Sequence, residues 1–170
     1  MAARPFVAIL MGSDSDLPVV QAAVDVLNKL AVPTEVKVSS AHRTPEATRN
    51  YVADADTRGC AVFVCAAGLA AHLAGTVAAH TLKPVIGIPM DAGPLNGLDA
   101  LLSTVQMPAG VPVATMAVGK AGARNAAILA VQILAMADNR LQERLEHYKE
   151  DLAEKVAEKA ATLQEKLPTS

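Results

Sequence analysis

The sequence predicts a three-layer α/β domain, a doubly wound parallel sheet of about five strands carrying a long C-terminal helix. Three observations predict it. Apolar runs continue unbroken instead of alternating with polar residues, as strands covered on both faces do. Longer stretches with helical spacing alternate with these runs. A loop of small or polar residues, rich in Gly, Ser, Asp or Pro, separates run from helix.

The elements follow in order. Phe6 to Met11 is a continuous apolar strand, and the Gly-Ser-Asp-Ser-Asp loop after it leads into a helix from about Leu17 to Leu30. Pro18 suits the first helical turn, with Asp16 as its expected N-cap. Thr34 to Val38 is the second strand and Ser39 to Thr44 its loop. Thr44-Pro45-Glu46 reads as a helix start: a capping hydroxyl, Pro at the first position and an acid in the first turn. Ala61 to Ala66 is the third strand, leading through Gly68 into a helix near Ala70 to His80. Val85 to Ile88 is the fourth, followed by a Pro/Gly loop up to Gly97. Val113 to Val118 is the fifth, leading into a helix from about Arg124 to Ala137. The tail changes character. Leu141, Leu145, Tyr148, Leu152 and Val156 recur at helical spacing among Glu, Lys and Arg, an amphipathic helix suited to packing across a neighbouring subunit. Residues 1–137 are therefore read as one α/β domain with a flavodoxin-like sheet, and 138–170 as a C-terminal helical extension.

Composition narrows the function. Hydrophobic residues are 52% of the 170, enough to demand a buried core, and the excess of Ala and Val suggests subunit interfaces. Net charge is −2, which gives no long-range attraction for a polyanion. Aromatics are 2% with no Trp, so no stacking platform for single strands exists. A nucleic-acid partner is excluded on both counts. No apolar run approaches the ~20 residues of a membrane span, and Met-Ala-Ala-Arg-Pro lacks the pattern of a signal peptide; the cytoplasm is expected. Cys60 and Cys65 flank a strand, and their spacing predicts opposite faces and the role of small buried hydrophobes. The histidines lie apart from clustered Cys or carboxylates, so no metal-ligand spacing is found.

In an open parallel sheet, ligands bind beyond the carboxyl ends of the strands where the winding reverses. Three loops there carry polar content. In Gly12-Ser13-Asp14-Ser15-Asp16, small residues, hydroxyls and a helix start suit a phosphate, and Asp16 suits a ribose diol; the plainer reading is a helix-capping loop. In Ser39-Ser40-Ala41-His42-Arg43-Thr44, Arg43 offers a fork for phosphate beside a histidine able to act as general acid and base; the plainer reading is a solvated surface pair. Ala66-Ala67-Gly68-Leu69-Ala70-Ala71-His72 can lie flat against a planar ring, or can simply pack helix on strand with His72 as a satisfied buried histidine. Gly119-Lys120-Ala121-Gly122 either closes over an anion or forms a turn. No dinucleotide fingerprint, Walker loop or nucleophile elbow is present.

At these same loops the chain resembles the N5-carboxyaminoimidazole ribonucleotide mutases of de novo purine biosynthesis. The resemblance rests on Met11 to Asp16, Ser40 to Pro45, Ala70 to Leu73, Leu101 to Pro108 and Gly119 to Gly122, in that order, within a match from about Val7 to Ala137. It implies that residues 1–137 are a nucleotide-binding catalytic domain, an isomerase converting N5-carboxyaminoimidazole ribonucleotide to 4-carboxy-5-aminoimidazole ribonucleotide, with no cofactor and no metal. By resemblance His42 is the acid and base; Ser13, Asp16 and Arg43 hold the nucleotide with Ser15 and Ser40; and Ala67, Gly68 and Leu69 face the ring and carboxyl group, with His72 nearby. It also implies a homo-octamer, and a contact with the ATP-dependent synthetase of the preceding step. Leu69 stands where Gly is frequent, Ala74 where Pro is, and Asp91-Ala92-Gly93 where Gln-Ser often occurs. Direct carboxylation of aminoimidazole ribonucleotide by carbon dioxide is the nearer alternative, and a non-catalytic nucleotide-binding module the farther one.

Overall fold

A computed structural model of the chain describes residues 4–167. Five parallel strands lie in the order β2-β1-β3-β4-β5. They are β1 (Phe6–Met11), β2 (Thr34–Val38), β3 (Cys60–Ala67), β4 (Val85–Pro89) and β5 (Ala114–Thr115). Helices α1 (Leu17–Lys29), α2 (Pro45–Thr57), α3 (Leu73–Ala78) and α4 (Leu98–Val105) connect them; α5 (Lys120–Ala135) and α6 (Asn139–Lys166) follow. The chain runs from β1 outward to β2, then returns across β1 to β3 and continues the other way. The winding thus reverses between β1 and β3, the crevice where such sheets hold ligands.

The central strands form as expected because their residues are buried on both faces. All six residues of β1 are buried, and so are Val62, Phe63, Val64 and Cys65 of β3. Phe6, Ala8, Leu10 and Phe63 share one face with Val52 of α2 and Leu73 and Val77 of α3. Burying a side chain such as Phe63 stabilises by about 1.5–3 kcal/mol, and many such contributions offset the ordering of the chain.

Four local expectations are corrected. The helix near Ala70 to His80 begins at Leu73, because residues 68–72 form an irregular loop between β3 and the helix. The fifth strand is only Ala114–Thr115, short of the apolar run that predicted it. Helix α4 falls in a stretch where no element was read. The two cysteines share a face. Phe6 pairs with Cys60 but Val7 with Val62, so Ala61 is an inserted residue that resets the alternation. Cys60 and Cys65 then join one apolar cluster as free thiols. Burial pushes the Cys60 thiol up to about 11 and holds that of Cys65 well above the usual range.

The chain divides into two compact units, Met1–Val131 and Gln132–Ser170. The first holds the sheet. In the second, α6 runs for 28 residues, its start capped by the Asp138 carboxylate, which accepts from Arg140 N–H at 3.0 Å. None of the helices among the described residues is long and apolar enough to cross a membrane.

Candidate active site

Strand register brings the loops together. Met11 stands level with Val38 on one side and Ala66 on the other, and Ala67 stands level with Pro89. The loops that follow β1, β2 and β3 therefore leave the sheet side by side. Two backbone bonds tie the exits: Gly12 N–H to Ala66 O at 3.0 Å and Ser39 N–H to Met11 O at 2.8 Å.

The first loop folds as a 3-10 turn, Asp14–Asp16, closed by its own side chains. Ser13 Oγ accepts from Ser15 N–H at 3.3 Å, and the Asp16 carboxylate reaches back to accept from Ser13 N–H at 3.2 Å. This reciprocal box satisfies backbone donors that the turn would otherwise leave open. Asp16 makes no capping bond to α1, so the expected cap is corrected: the residue holds the Ser13 turn instead. Burial raises its carboxyl above the usual value, opposed by the Ser13 N–H.

The second loop is equally closed. Thr44 does not cap α2. Its hydroxyl accepts from Ser40 N–H at 3.2 Å and donates to Ser40 O at 3.1 Å. Ser40 Oγ accepts from Arg43 N–H at 3.1 Å. Beneath them the buried hydroxyls of Ser39 and Thr48 bond at 2.7 Å. The turn so fixed projects His42 and Arg43 outward, both exposed.

The third loop supplies His72, which immediately precedes α3 and is exposed, not the buried histidine considered above. His42 Nε2 lies 2.7 Å from His72 Nδ1, and the rings meet edge to face at 81°. One imidazole donates and the other accepts, so each constrains the tautomer of its partner. The sequence carried no local signal for this contact, which joins residues 30 apart.

A cleft of about 590 Å³ opens between the loops, large enough for a nucleotide. Ser13, Ser15, Asp16, Ser40, His42, Arg43, Ala67, Gly68, Leu69 and His72 all line it, every site residue the sequence singled out. Gly12, Ala41, Ala70, Leu73 and Ala92 complete the lining. Ser103 of α4 acts from behind: Ala71 N–H donates to its Oγ at 2.9 Å. The motif around Ser103 was legible, but not its reach to the third loop. Of Gly119 to Gly122 only Gly119 lies in a turn, since α5 begins at Lys120 and takes in the other three residues. A Cβ on Gly122 would stand 1.6 Å from Ala117 O, so that glycine admits a close backbone approach. No group of three or more His, Cys, Asp or Glu among the described residues could hold a metal ion.

The sequence profile described as AIRC, AIR carboxylase, matches residues 6–155. The chain belongs to the AIR carboxylase family. The match extends beyond the motifs read above and into α6. Among AIR carboxylase relatives, the N5-carboxyaminoimidazole ribonucleotide mutase of Mycobacterium tuberculosis is 53% identical over 161 residues, 95% of this chain and 91% of its own. That of Pyrococcus horikoshii is 49% identical over 162 residues, 95% of this chain and 90% of its own. The crystal structure of Treponema denticola PurE superposes with a TM-score of 0.85 at 27% identity, covering 94% of this chain and 99% of that one. The family fold is thus the doubly wound sheet described above.

Proposed function

We propose that this chain is a cytoplasmic isomerase of de novo purine biosynthesis, converting N5-carboxyaminoimidazole ribonucleotide to 4-carboxy-5-aminoimidazole ribonucleotide. The observation that carries the reading is the meeting of the Ser13 turn, Arg43 and the His42–His72 pair in one cleft. Relatives of 49% and 53% identity bear the mutase name.

Each residue type suits its part. The hydroxyls of Ser13, Ser15 and Ser40 and the fork of Arg43 take the phosphate. Asp16 accepts from the ribose hydroxyls, as a carboxylate can. The ring lies along Ala67, Gly68 and Leu69. His42 gives a proton to the carbamate nitrogen, the N–C bond breaks with its electron pair on nitrogen, and carbon dioxide is released. The ring carbon then attacks carbon dioxide, and the proton on that carbon leaves to His42, restoring aromaticity. One proton enters and one departs, so the net change is isomerisation. His72, bonded to His42, orients the imidazole. A positioned acid and base of this kind contributes ~10²–10⁴-fold, and confinement of carbon dioxide raises its effective concentration at the ring. A homo-octamer, with α6 between subunits, accords with the apolar side chains Val36, Val38, Leu98, Leu102 and Val156 exposed on this chain. A passing contact with the synthetase that makes the unstable carbamate completes the picture.

The family description, AIR carboxylase, favours one second reading: direct carboxylation of aminoimidazole ribonucleotide by carbon dioxide. Presenting the purified protein with each substrate, with carbon dioxide swept out or supplied, separates the two. We expect conversion of the carbamate in swept solution. Rapid use of aminoimidazole ribonucleotide at ordinary bicarbonate, without response to the carbamate, contradicts the mutase reading.

A further inference from the structure

Leu69 holds a backbone conformation that its own side chain disfavours. Its φ is +56°, in the left-handed region where a Cβ crowds the backbone. The turn is anchored from α4, whose Ser103 Oγ accepts from Ala71 N–H and lies 3.4 Å from Leu69 O. The side chain is not spent on the core. Leu69 is 51% exposed and lines the cleft beside Gly68 and Ala92. Its Cδ2 lies against Gly93: a Cβ built there would stand 2.4 Å from it, and Gly93 itself has φ +76°. An isobutyl group therefore spans from the loop after β3 to the loop after β4, across the rim of the cleft. Backbone strain at a non-glycine residue that adds little burial concentrates at working sites.

We infer that Leu69, seated on Gly93, is a retention residue that keeps carbon dioxide in the cleft between the two halves of the reaction. The inference rests on the carboxyl-transfer reading above. When the carbamate N–C bond breaks, the electron pair stays on nitrogen, which takes the proton. Carbon dioxide is then neutral and bonded to nothing until the ring carbon gives it an electron pair and loses its own proton. Only the walls hold it during that interval. Apolar walls suit a non-polar molecule and exclude the water that would carry it away. Leu69 closes the rim through its contact with Gly93; it does not move the proton.

The test follows the carbamate, unlabelled, into product in ¹³C-bicarbonate buffer with carbonic anhydrase present to keep the dissolved gas labelled. At early times the wild-type product should keep its own carboxyl carbon. Leu69→Gly should take up label several-fold more. That variant is expected to fold, because glycine adopts φ +56° without crowding, and an unchanged or raised Tm checks this. Leu69→Met, which restores apolar reach, should return label uptake toward the wild-type level; a merely structural role would not move this ratio. Label in the Leu69→Gly product no higher than in wild type, or complete labelling of the wild-type product, overturns the inference. Failure of the wild type to convert the carbamate at all instead overturns the carboxyl-transfer reading, and the retention role with it.

Discussion

His42 and His72 share one hydrogen at a contact of 2.7 Å, since two N–H groups could not face each other there. A histidine oriented in this way can give its proton elsewhere in a defined direction, as the proposed transfer to a carbamate nitrogen requires. Single residues also mark where sequence reading stopped. The ten residues proposed for the site could be singled out in segments at strand ends and all line one cleft, yet the bonds that hold them were not legible. Asp16 and Thr44 were read as helix caps from their type and position. Each closes its own loop instead: the Asp16 carboxylate accepts from Ser13 N–H and the Thr44 hydroxyl from Ser40 N–H. Cys60 was misplaced because one inserted residue, Ala61, leaves no mark on an apolar run. With both thiols buried and their deprotonation disfavoured, a thiol reagent at pH 8 should label neither cysteine in the native protein and both after unfolding. Prompt native labelling would contradict the packing of β3.

At the scale of elements, both-face burial made β1, β3 and β4 legible almost to the residue, since no solvent-facing alternation blurs their ends; β2, on the sheet edge, is only partly buried. Helix α4 was missed because it spans eight residues, too few for helical periodicity to stand out between Gly97 and Pro108. Its importance lies in Ser103. Ser103→Ala should leave the buried Ala71 N–H without its partner, at about 1–3 kcal/mol. Thermal unfolding should show that loss, and turnover should fall because the third loop is no longer anchored. Gly122→Ala should be more disruptive at the start of α5, costing at least about 2 kcal/mol as the backbone moves away from Ala117 O. An unchanged Tm would show the approach of Gly122 to Ala117 O to be looser than described. Strand β2 and helix α2 are clamped by charge. Arg58 donates to both oxygens of Glu35, and Tyr51 Oη donates to one of them at 3.0 Å. The Arg58 guanidinium bonds hold the Glu35 carboxyl below its ordinary value, and Tyr51 adds to this. A depressed carboxylate contributes stability above its unfolded pKa of about 4.5 and loses it as pH falls through the lower folded value. Stability to unfolding, measured from pH 6 down to pH 3, should therefore fall less steeply in Glu35→Gln than in wild type.

For the whole molecule, the sheet order sets the site: one reversal between β1 and β3, with level strand ends, gathers three distant segments. That convergence followed from the alternation of strands and helices, so the fold and the location of the cleft were both legible. The sequence suggests the proposed assembly only as a tendency, from apolar excess and a charged amphipathic tail. Val36 and Val38, 41% and 50% exposed on the edge strand β2, express the same tendency in the folded chain. The octamer we propose predicts a particle eight times the 17.6 kDa chain by light scattering. A monomer at micromolar concentration contradicts it.

The central claim is that His42 moves the proton within a nucleotide cradle built by the other loops. It is tested most directly by His42→Asn, with nucleotide affinity and carbamate turnover measured on the same preparation. The account predicts that affinity changes by less than about tenfold while turnover falls by at least ~10². A variant that turns over at near wild-type rate, or that loses binding and turnover together while remaining folded, contradicts it.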